Sequence, residues 1–243
     1  DAGPAGGGAR LAAISIQLDP GWKTYWRQPG ASGVPPRFDF SGSDNVAEAR
    51  VAYPAPERSA DADGVTNVYH GVVTLPVTVR PKDPQAPVEL RVVADYGVCE
   101  AVCVPIRAEA ELELSPSENG AGPEADEVRR AADAAPKPAA LGGAGPLSVV
   151  AVRRAGATAE GGAALEIAVS APDGPEPELF AETGEGDFAP APELIGRQSG
   201  GRATFRMAFD ETELPASGLR LTLASGGRAV ETPVPLDAIA ARP

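Results

Sequence analysis

The chain has 243 residues and a net charge of −13, from 34 acidic and 21 basic side chains. A surface this acidic repels phosphate backbones, which argues against nucleic-acid binding. Glycine (28) and proline (26) are abundant, which disfavours a helical bundle and favours short strands joined by turns. No run of apolar residues approaches the roughly 20 needed to cross a bilayer. Because the first residue is Asp, we expect that a targeting segment has been removed or that the chain is part of a longer one.

Alternating apolar and polar residues predict a series of strands in the first half of the chain. The run Val68–Val79 contains Pro76, which predicts a strand at a sheet edge or one with a bulge. About seven short strands in some 115 residues are typical of an immunoglobulin-like sandwich. The predicted strands cover residues 11–18, 38–40, 68–79, 88–96 and 105–114.

The rest of the chain predicts a linker followed by a second β-domain. Residues 116–146 are rich in Ala, Gly, Pro and charged residues, which predicts a linker with a short helix over Ala125–Ala135. Strand patterns return in residues 147–243, which contain no Cys, His or Trp and therefore predict a scaffold or docking role. We thus predict an all-β protein with two immunoglobulin-like β-sandwich domains, residues 1–115 and 147–243, joined by a linker.

The two cysteines of the chain, Cys99 and Cys103, lie four residues apart. A disulfide needs Cα atoms about 4.4–6.8 Å apart, whereas an extended strand would separate these residues by about 13 Å. The chain must therefore bend between them, by a tight turn or by one helical turn. None of the three intervening residues favours positive φ, so the sequence favours the helical turn.

Three roles for the cysteine pair follow from the residues: thiol–disulfide exchange, Cu(I) binding and a structural cross-link. A loop this short stabilises a fold little, which disfavours a purely structural disulfide. A closed zinc site needs four ligands, but His70 and Met207 are the only histidine and methionine. Two thiolates are sufficient for Cu(I), so a copper-binding or copper-tolerance module remains an alternative to exchange. A non-catalytic scaffold is the third alternative, and it predicts buried, unreactive cysteines.

Four segments resemble the periplasmic N-terminal domain of the DsbD family of thiol:disulfide interchange proteins, and especially its ScsB-like branch (suppressor of copper sensitivity). Together they span about residues 10–115, whereas residues 146–243 resemble only the general two-sandwich layout of the ScsB-like region. The most specific features are the run around Trp22 and Trp26 and the cysteine pair. The segments are Pro20–Gly42, Tyr53–Pro56, Val68–Val79 and the cysteine segment that ends at Pro105.

The resemblance implies an exported, periplasmic protein whose signal peptide is absent from this chain. It implies that Cys99 and Cys103 occupy the two active-site positions and need no bound cofactor. In that family, the domain takes electrons from a membrane-embedded reductase domain, in the same or a separate chain. It passes them through a mixed disulfide to oxidised thioredoxin-like periplasmic proteins.

The surroundings of the cysteine pair differ from the best-known DsbD domains, in which the spacing is longer and an aromatic loop tip covers the pair. The corresponding loop, residues 60–64, has Ala62 at the aromatic position, so Tyr69 or Trp26 is expected to provide the shielding. Trp22, Tyr25 and Trp26 are otherwise expected to pack in the core or at a strand edge, and the loop aspartates are candidates for proton transfer. The candidate shielding or proton-transfer neighbours are Asp61, Asp63, Tyr69, Tyr96 and Trp26.

Overall fold

The computed structural model describes residues 1–61, 64–116 and 122–241, with the Asp61 side chain excepted. This part of the chain is almost entirely β-structure, as the sequence predicts. It divides into two compact units. The first unit consists of Asp1–Pro29, Gly33–Ser59 and Thr66–Ala135, and Pro136–Pro243 makes up most of the second. The predicted domain boundaries at residues 115 and 147 stay a prediction.

The first unit is an immunoglobulin-like sandwich of two antiparallel sheets. Its strands are β1 (Pro4–Ala5), β2 (Ala9–Gln17), β3 (Lys23–Gly30), β4 (Arg37–Asp39), β5 (Val46–Val51), β6 (Glu57–Asp61), β7 (Gly64–His70), β8 (Val72–Pro81), β9 (Val88–Cys99) and β10 (Cys103–Leu114). One sheet has the strand order β1-β2-β8-β5, and the other has the order β10-β9-β3-β7-β6 with β4 also paired to β9. Alternate residues of the strands face the core, because successive side chains of a strand point to opposite faces. The buried apolar residues of this core include Ala12, Val77, Val79, Val88, Leu90 and Leu114.

The predicted long strand over Val68–Val79 is two strands, because the chain breaks at Gly71 between β7 and β8. Gly71 has a φ of 64°, a conformation that glycine adopts at low cost. The prediction that Pro76 marks an edge strand or a bulge is wrong, since β8 lies between β2 and β5. Pro76 is tolerated because the ladder with β5 ends at Val51 opposite Val77. Because proline has no N–H, one hydrogen bond between β8 and β5 is missing, and it is at the end of their ladder.

The α-helix of the described chain, α1 (Ala125–Ala134), lies in the segment for which the sequence predicts a short helix. Its buried residues Ala125 and Val128 pack against Ala2, with Leu11 and Ala13 of β2 beside them. α1 therefore covers part of the β1-β2-β8-β5 sheet. No helix in the described ranges is long and apolar enough to span a membrane.

The second unit is a smaller sandwich of two four-stranded sheets, with strand orders β11-β18-β17-β14 and β12-β13-β16-β15. Its core is formed by the alternating residues that the sequence indicates, such as Phe205 and Met207 on one sheet and Leu221 and Leu223 on the other. The strands are β11 (Lys137–Pro138), β12 (Ser148–Arg154), β13 (Ala164–Ser170), β14 (Glu178–Thr183), β15 (Glu193–Gln198), β16 (Arg202–Ala208), β17 (Leu219–Ser225) and β18 (Arg228–Val234), and a short 3-10 helix (Leu236–Ala238) follows.

A buried arginine ties the end of β10 to the loop between β8 and β9. The Arg10 side chain is almost fully buried, and its residue is 4% exposed. Its guanidinium donates hydrogen bonds to the carbonyl oxygens of Leu114 (2.6 Å), Pro84 (3.1 Å) and Ala86 (2.7 Å). Buried carbonyl groups that lose their donors destabilise a fold, so Arg10 holds together three segments that are distant in the sequence.

We expect Arg10→Met to lower the free energy of unfolding of the first sandwich by about 3 kcal/mol, because hydrogen bonds from a charged donor to buried carbonyls are lost. Urea unfolding followed by tryptophan fluorescence measures this change, since both tryptophans of the chain, Trp22 and Trp26, lie in the first sandwich. Arg80→Met is the matched control, because the Arg80 side chain is exposed and its ion pair with Glu48 is long. Equal unfolding curves for the two variants would contradict the role assigned to Arg10.

Candidate functional site

The two cysteines close the hairpin formed by β9 and β10. These strands pair residue for residue from Val88 opposite Leu114 to Cys99 opposite Cys103. The Cα atoms of the two cysteines are 4.1 Å apart, and their sulfurs form a disulfide. Cys103 follows Cys99 after a loop of only three residues, so the bond lies at the tip of the hairpin.

The preference for a helical turn between the cysteines is wrong, and the tight turn is the correct alternative. The loop Glu100–Val102 joins two paired strands, and the Glu100 N–H donates to the Val102 carbonyl at 3.4 Å. The preference rested on the absence of a residue that favours positive φ. Asn45 is the only non-glycine residue with positive φ in the described chain, so this loop turns without a left-handed residue.

The two cysteine residues differ sharply in their exposure. Cys99 is 2% exposed and packs with Tyr25 and Val68, whereas Cys103 is an exposed residue at the start of an edge strand. A molecule approaching from solvent therefore reaches Cys103 before Cys99. This difference gives the disulfide one accessible and one protected end.

Tyr25 is the side chain that contacts both sulfurs. Its hydroxyl donates a hydrogen bond to Cys99 Sγ at 3.0 Å, and its oxygen lies 3.6 Å from Cys103 Sγ. Lys23 of β3 pairs with Cys99 of β9, so Tyr25, two residues along β3, shares the face of the sheet on which Cys99 lies. The sequence predicts core packing or a strand-edge position for Tyr25 but gives no signal for this contact.

The aromatic neighbours predicted from the sequence make contacts elsewhere in the first sandwich, and their part in shielding stays a prediction. Trp26 is fully buried, and its neighbour Arg27 lies over the indole ring, with the guanidinium carbon 4.7 Å from the ring centroid. The Tyr69 hydroxyl donates to the Pro54 carbonyl at 2.7 Å, and burial raises the pKa of Tyr69 well above its usual range. Tyr96 is three residues from Cys99 and lines an open pocket of about 240 Å³.

Asp63 and Ala62 lie outside the described residues, as does the side chain of Asp61. Their proposed part in shielding or proton transfer stays a prediction.

Charged residues at the hairpin tip are few, and those farther along the hairpin pair with each other. Glu100 follows Cys99 directly, and its carboxylate accepts a hydrogen bond from the Ala101 N–H at 3.1 Å. Lys23 lies opposite Cys99, with Nζ 3.3 Å from Ser59 Oγ. Arg107 forms two hydrogen bonds to Asp95.

Exposed valines lie near the accessible sulfur. Val102 in the loop is 70% exposed, and Val104, directly after Cys103, is 40% exposed. Val34 is 53% exposed and packs beside Gly97 of β9. We call Val102 and Val34 the valine collar. Val104 is left out because successive side chains of β10 point to opposite faces of the sheet, so that it faces away from Cys103. Exposed apolar residues clustered around a reactive group are typical of protein interaction sites.

The fold and the site together define a class of protein: an immunoglobulin-like sandwich with a half-exposed disulfide at a hairpin tip. Residues 4–115 match the family model described as "Thiol:disulfide interchange protein DsbD, N-terminal". The first sandwich therefore belongs to the DsbD N-terminal family, which confirms the resemblance read from the sequence, and it is a domain of the thiol:disulfide interchange type.

Among solved structures, the chain is similar to the N-terminal periplasmic domain of ScsB from Proteus mirabilis. The two are 21% identical, the match covers 97% of this chain and 90% of the other, and the TM-score is 0.69. At this identity the match shows a shared fold, and it extends over both sandwiches. No curated protein matches the chain.

We expect the disulfide to contribute little to stability, because it closes a very short loop. The chain-entropy relation gives about 2 kcal/mol for such a loop, against about 4.7 kcal/mol for a loop of 100 residues. Cys103→Ser should therefore lower the free energy of unfolding by about 2 kcal/mol or less. Urea unfolding followed by tryptophan fluorescence measures this, and the difference from the unmodified chain should vanish under strong reductant. Unfolding of the first sandwich on reduction would show that the disulfide is a structural cross-link.

Proposed function

We propose that this chain is a periplasmic thiol–disulfide exchange component that passes electrons through Cys99 and Cys103. The electrons come from a membrane-embedded reductase domain of the DsbD or ScsB type and go to oxidised thioredoxin-like proteins. The observation that carries the proposal is the disulfide at the hairpin tip, with Cys103 exposed and Cys99 buried. Membership of residues 4–115 in the DsbD N-terminal family supports the same chemistry.

Exposure assigns a role to each sulfur in this proposal. Cys103, as a thiolate, attacks a sulfur of the partner's disulfide, so the partner's bond breaks and a mixed disulfide forms. Cys99, as a thiolate, then attacks Cys103 Sγ, which releases the partner as a dithiol and re-forms the Cys99–Cys103 bond. Two electrons pass to the partner, and the protons of the two cysteine thiols pass through solvent to the partner's thiolates.

The surface around Cys103 fits a protein substrate better than a small one. The valine collar places apolar side chains beside the exposed sulfur, and a partner that covers them gains free energy from their burial. The partner must present its own disulfide at an exposed, apolar edge. A thioredoxin-like protein with a surface disulfide meets this requirement.

Single cysteine variants test the roles of the two sulfurs. Cys99→Ser should trap, as a stable mixed disulfide on Cys103, a thioredoxin-fold protein whose second active-site cysteine is replaced by Ser and whose remaining cysteine is held as a mixed disulfide with thionitrobenzoate. The attack by Cys103 releases thionitrobenzoate, and no resolving thiol is left on either protein. Cys103→Ser should trap at least about tenfold less, because Cys99 is buried. Non-reducing electrophoresis and mass spectrometry of the adduct measure both outcomes.

The outcomes of this experiment separate the alternatives for the pair. Equal trapping by the two variants would contradict the assignment of Cys103 as the attacking sulfur. If a Cys99→Ser, Cys103→Ser double variant reduced the partner as well as the unmodified chain does, the exchange function would be wrong. Tight one-to-one Cu(I) binding by the reduced chain, with slow exchange, would instead favour the copper-binding alternative. Failure of the reduced thiols to react with any alkylating reagent would favour a scaffold.

The valine collar yields a separate prediction about the partner. Val102→Asp should slow electron transfer to an oxidised thioredoxin-fold protein about tenfold, because an apolar contact worth roughly 1.5 kcal/mol is replaced by a charge. Reduction of the disulfide by dithiothreitol should change less than twofold, since a small thiol does not use the collar. Val150→Asp, an exposed valine of the second sandwich, is the matched control. Equal slowing by both variants would contradict a docking role for the collar.

A further inference from the structure

Two glycines form a slot for the ring of Tyr25. A Cβ atom on Gly33 would lie 2.4 Å from Tyr25 Cε1, and Gly33 has a φ of +110°. On the other edge of the ring, a Cβ on Gly97 would lie 3.6 Å from Tyr25 Cε2. Real Cβ atoms do not approach a ring as closely as at Gly33, so any larger residue there would displace Tyr25. Gly33 is thus the wall that requires glycine, whereas a Cβ on Gly97 would make an ordinary van der Waals contact with the ring.

The slot places the tyrosine hydroxyl on the disulfide. Tyr25 is buried, and its hydroxyl donates to Cys99 Sγ at 3.0 Å while lying 3.6 Å from Cys103 Sγ. A neutral disulfide sulfur is a weak acceptor, whereas a thiolate is a strong one. The hydrogen bond therefore strengthens when Cys99 becomes a thiolate.

We propose that Tyr25 is a positioning residue, held by Gly33 and Gly97, whose hydroxyl stabilises the Cys99 thiolate during exchange. This inference rests on the function proposed above and adds to it a group that stabilises the thiolate of the buried Cys99. It explains how Cys99, enclosed by apolar side chains, becomes a competent leaving group and a competent attacking group.

Tyr25 acts at the same sulfur in both directions of exchange. When the domain is reduced, a donor thiolate attacks Cys103 Sγ, the Cys99–Cys103 bond breaks, and Cys99 leaves as a thiolate that receives the Tyr25 hydrogen bond. When the domain reduces a partner, the Cys99 thiolate attacks Cys103 Sγ and the partner's sulfur leaves. In each case one S–S bond forms as one breaks, and the electron pair moves between sulfurs while Tyr25 keeps its proton.

Two charged residues next to Cys99 have opposite effects on a thiolate, whereas the Tyr25 hydroxyl contacts the sulfur directly. Lys23 pairs with Cys99 on β3 and favours a thiolate, whereas Glu100 in the loop disfavours one. Burial also disfavours the charged form. A hydrogen bond to the charged form acts in the opposite direction, and such bonds are among the stronger ones in proteins.

The first test isolates Cys99 in a Cys103→Ser chain, where it is the only thiol. The pH midpoint of its alkylation by iodoacetamide should rise by about one unit when Tyr25→Phe is added, which is a tenfold loss of thiolate near neutral pH. Tyr53→Phe is the matched control, because Tyr53 is half-buried and packs beside Phe38. The midpoint should stay unchanged in that control. A purely structural role of Tyr25 would not move the midpoint.

The second test moves the ring and keeps the hydroxyl. This test uses the chain with both cysteines and measures the equilibrium constant for its reduction by glutathione. Tyr25→Phe should lower this constant about tenfold, which corresponds to about 30 mV. Gly33→Ala should lower it as well. Gly71→Ala is the matched control, because Gly71 also has positive φ but nothing lies within 4 Å of its added Cβ. That control introduces backbone strain without touching Tyr25.

The outcomes distinguish this inference from the proposed function. Unchanged midpoint and glutathione equilibrium in Tyr25→Phe would overturn the role of the hydroxyl, even if exchange with protein partners proceeds. An effect of Tyr25→Phe without one of Gly33→Ala would overturn the slot. Because neither measurement uses a protein partner, both stand even if the chain fails to reduce thioredoxin-like proteins. Thermal unfolding by circular dichroism verifies that each variant is folded.

Discussion

The in-register pairing of β9 with β10 is the constraint on which the chemistry of this chain depends. Cys99 and Cys103 form the last pair of a ladder that begins with Val88 and Leu114. Since side chains alternate between the faces of a strand, a slip by one residue would place the two sulfurs on opposite faces. Burial of Val88 and Leu114 in the sandwich core opposes such a slip. The hydrophobic core and the disulfide are thus specified by the same register.

The difference in exposure between the two cysteines comes from the position of each one in the sheet. Because β10 is an edge strand, Cys103 has a neighbour on one side only, whereas Cys99 lies between β10 and β3. Tyr25 comes from β3 and covers Cys99, whereas Cys103 stays exposed. A structural disulfide needs neither an exposed sulfur nor a hydroxyl aimed at the buried one. The arrangement therefore fits exchange better than cross-linking.

The sequence predicts local features of this fold well and neighbour-dependent features poorly. Alternation along a strand is a local pattern, so β2 and β10 were predicted close to their observed positions. The place of Pro76 depends on where β5 ends, and the turn at the cysteines depends on the β9–β10 ladder. Tyr25 and Cys99 are 74 residues apart, and no single-sequence pattern reveals which residue of β3 lies opposite which residue of β9. The family resemblance identified the cysteines but not this tyrosine.

The same ladder keeps the sulfurs together after the disulfide is reduced. The cysteine pair is the last of twelve pairs, so breaking the S–S bond leaves eleven pairs that hold the two strands. Cys99 then remains beside Cys103, and its attack on a mixed disulfide is intramolecular, with a high effective concentration. A partner attached to Cys103 is consequently released before a second, external thiol can compete. Because the remaining pairs hold the hairpin together, the disulfide can open and close repeatedly without unfolding the domain.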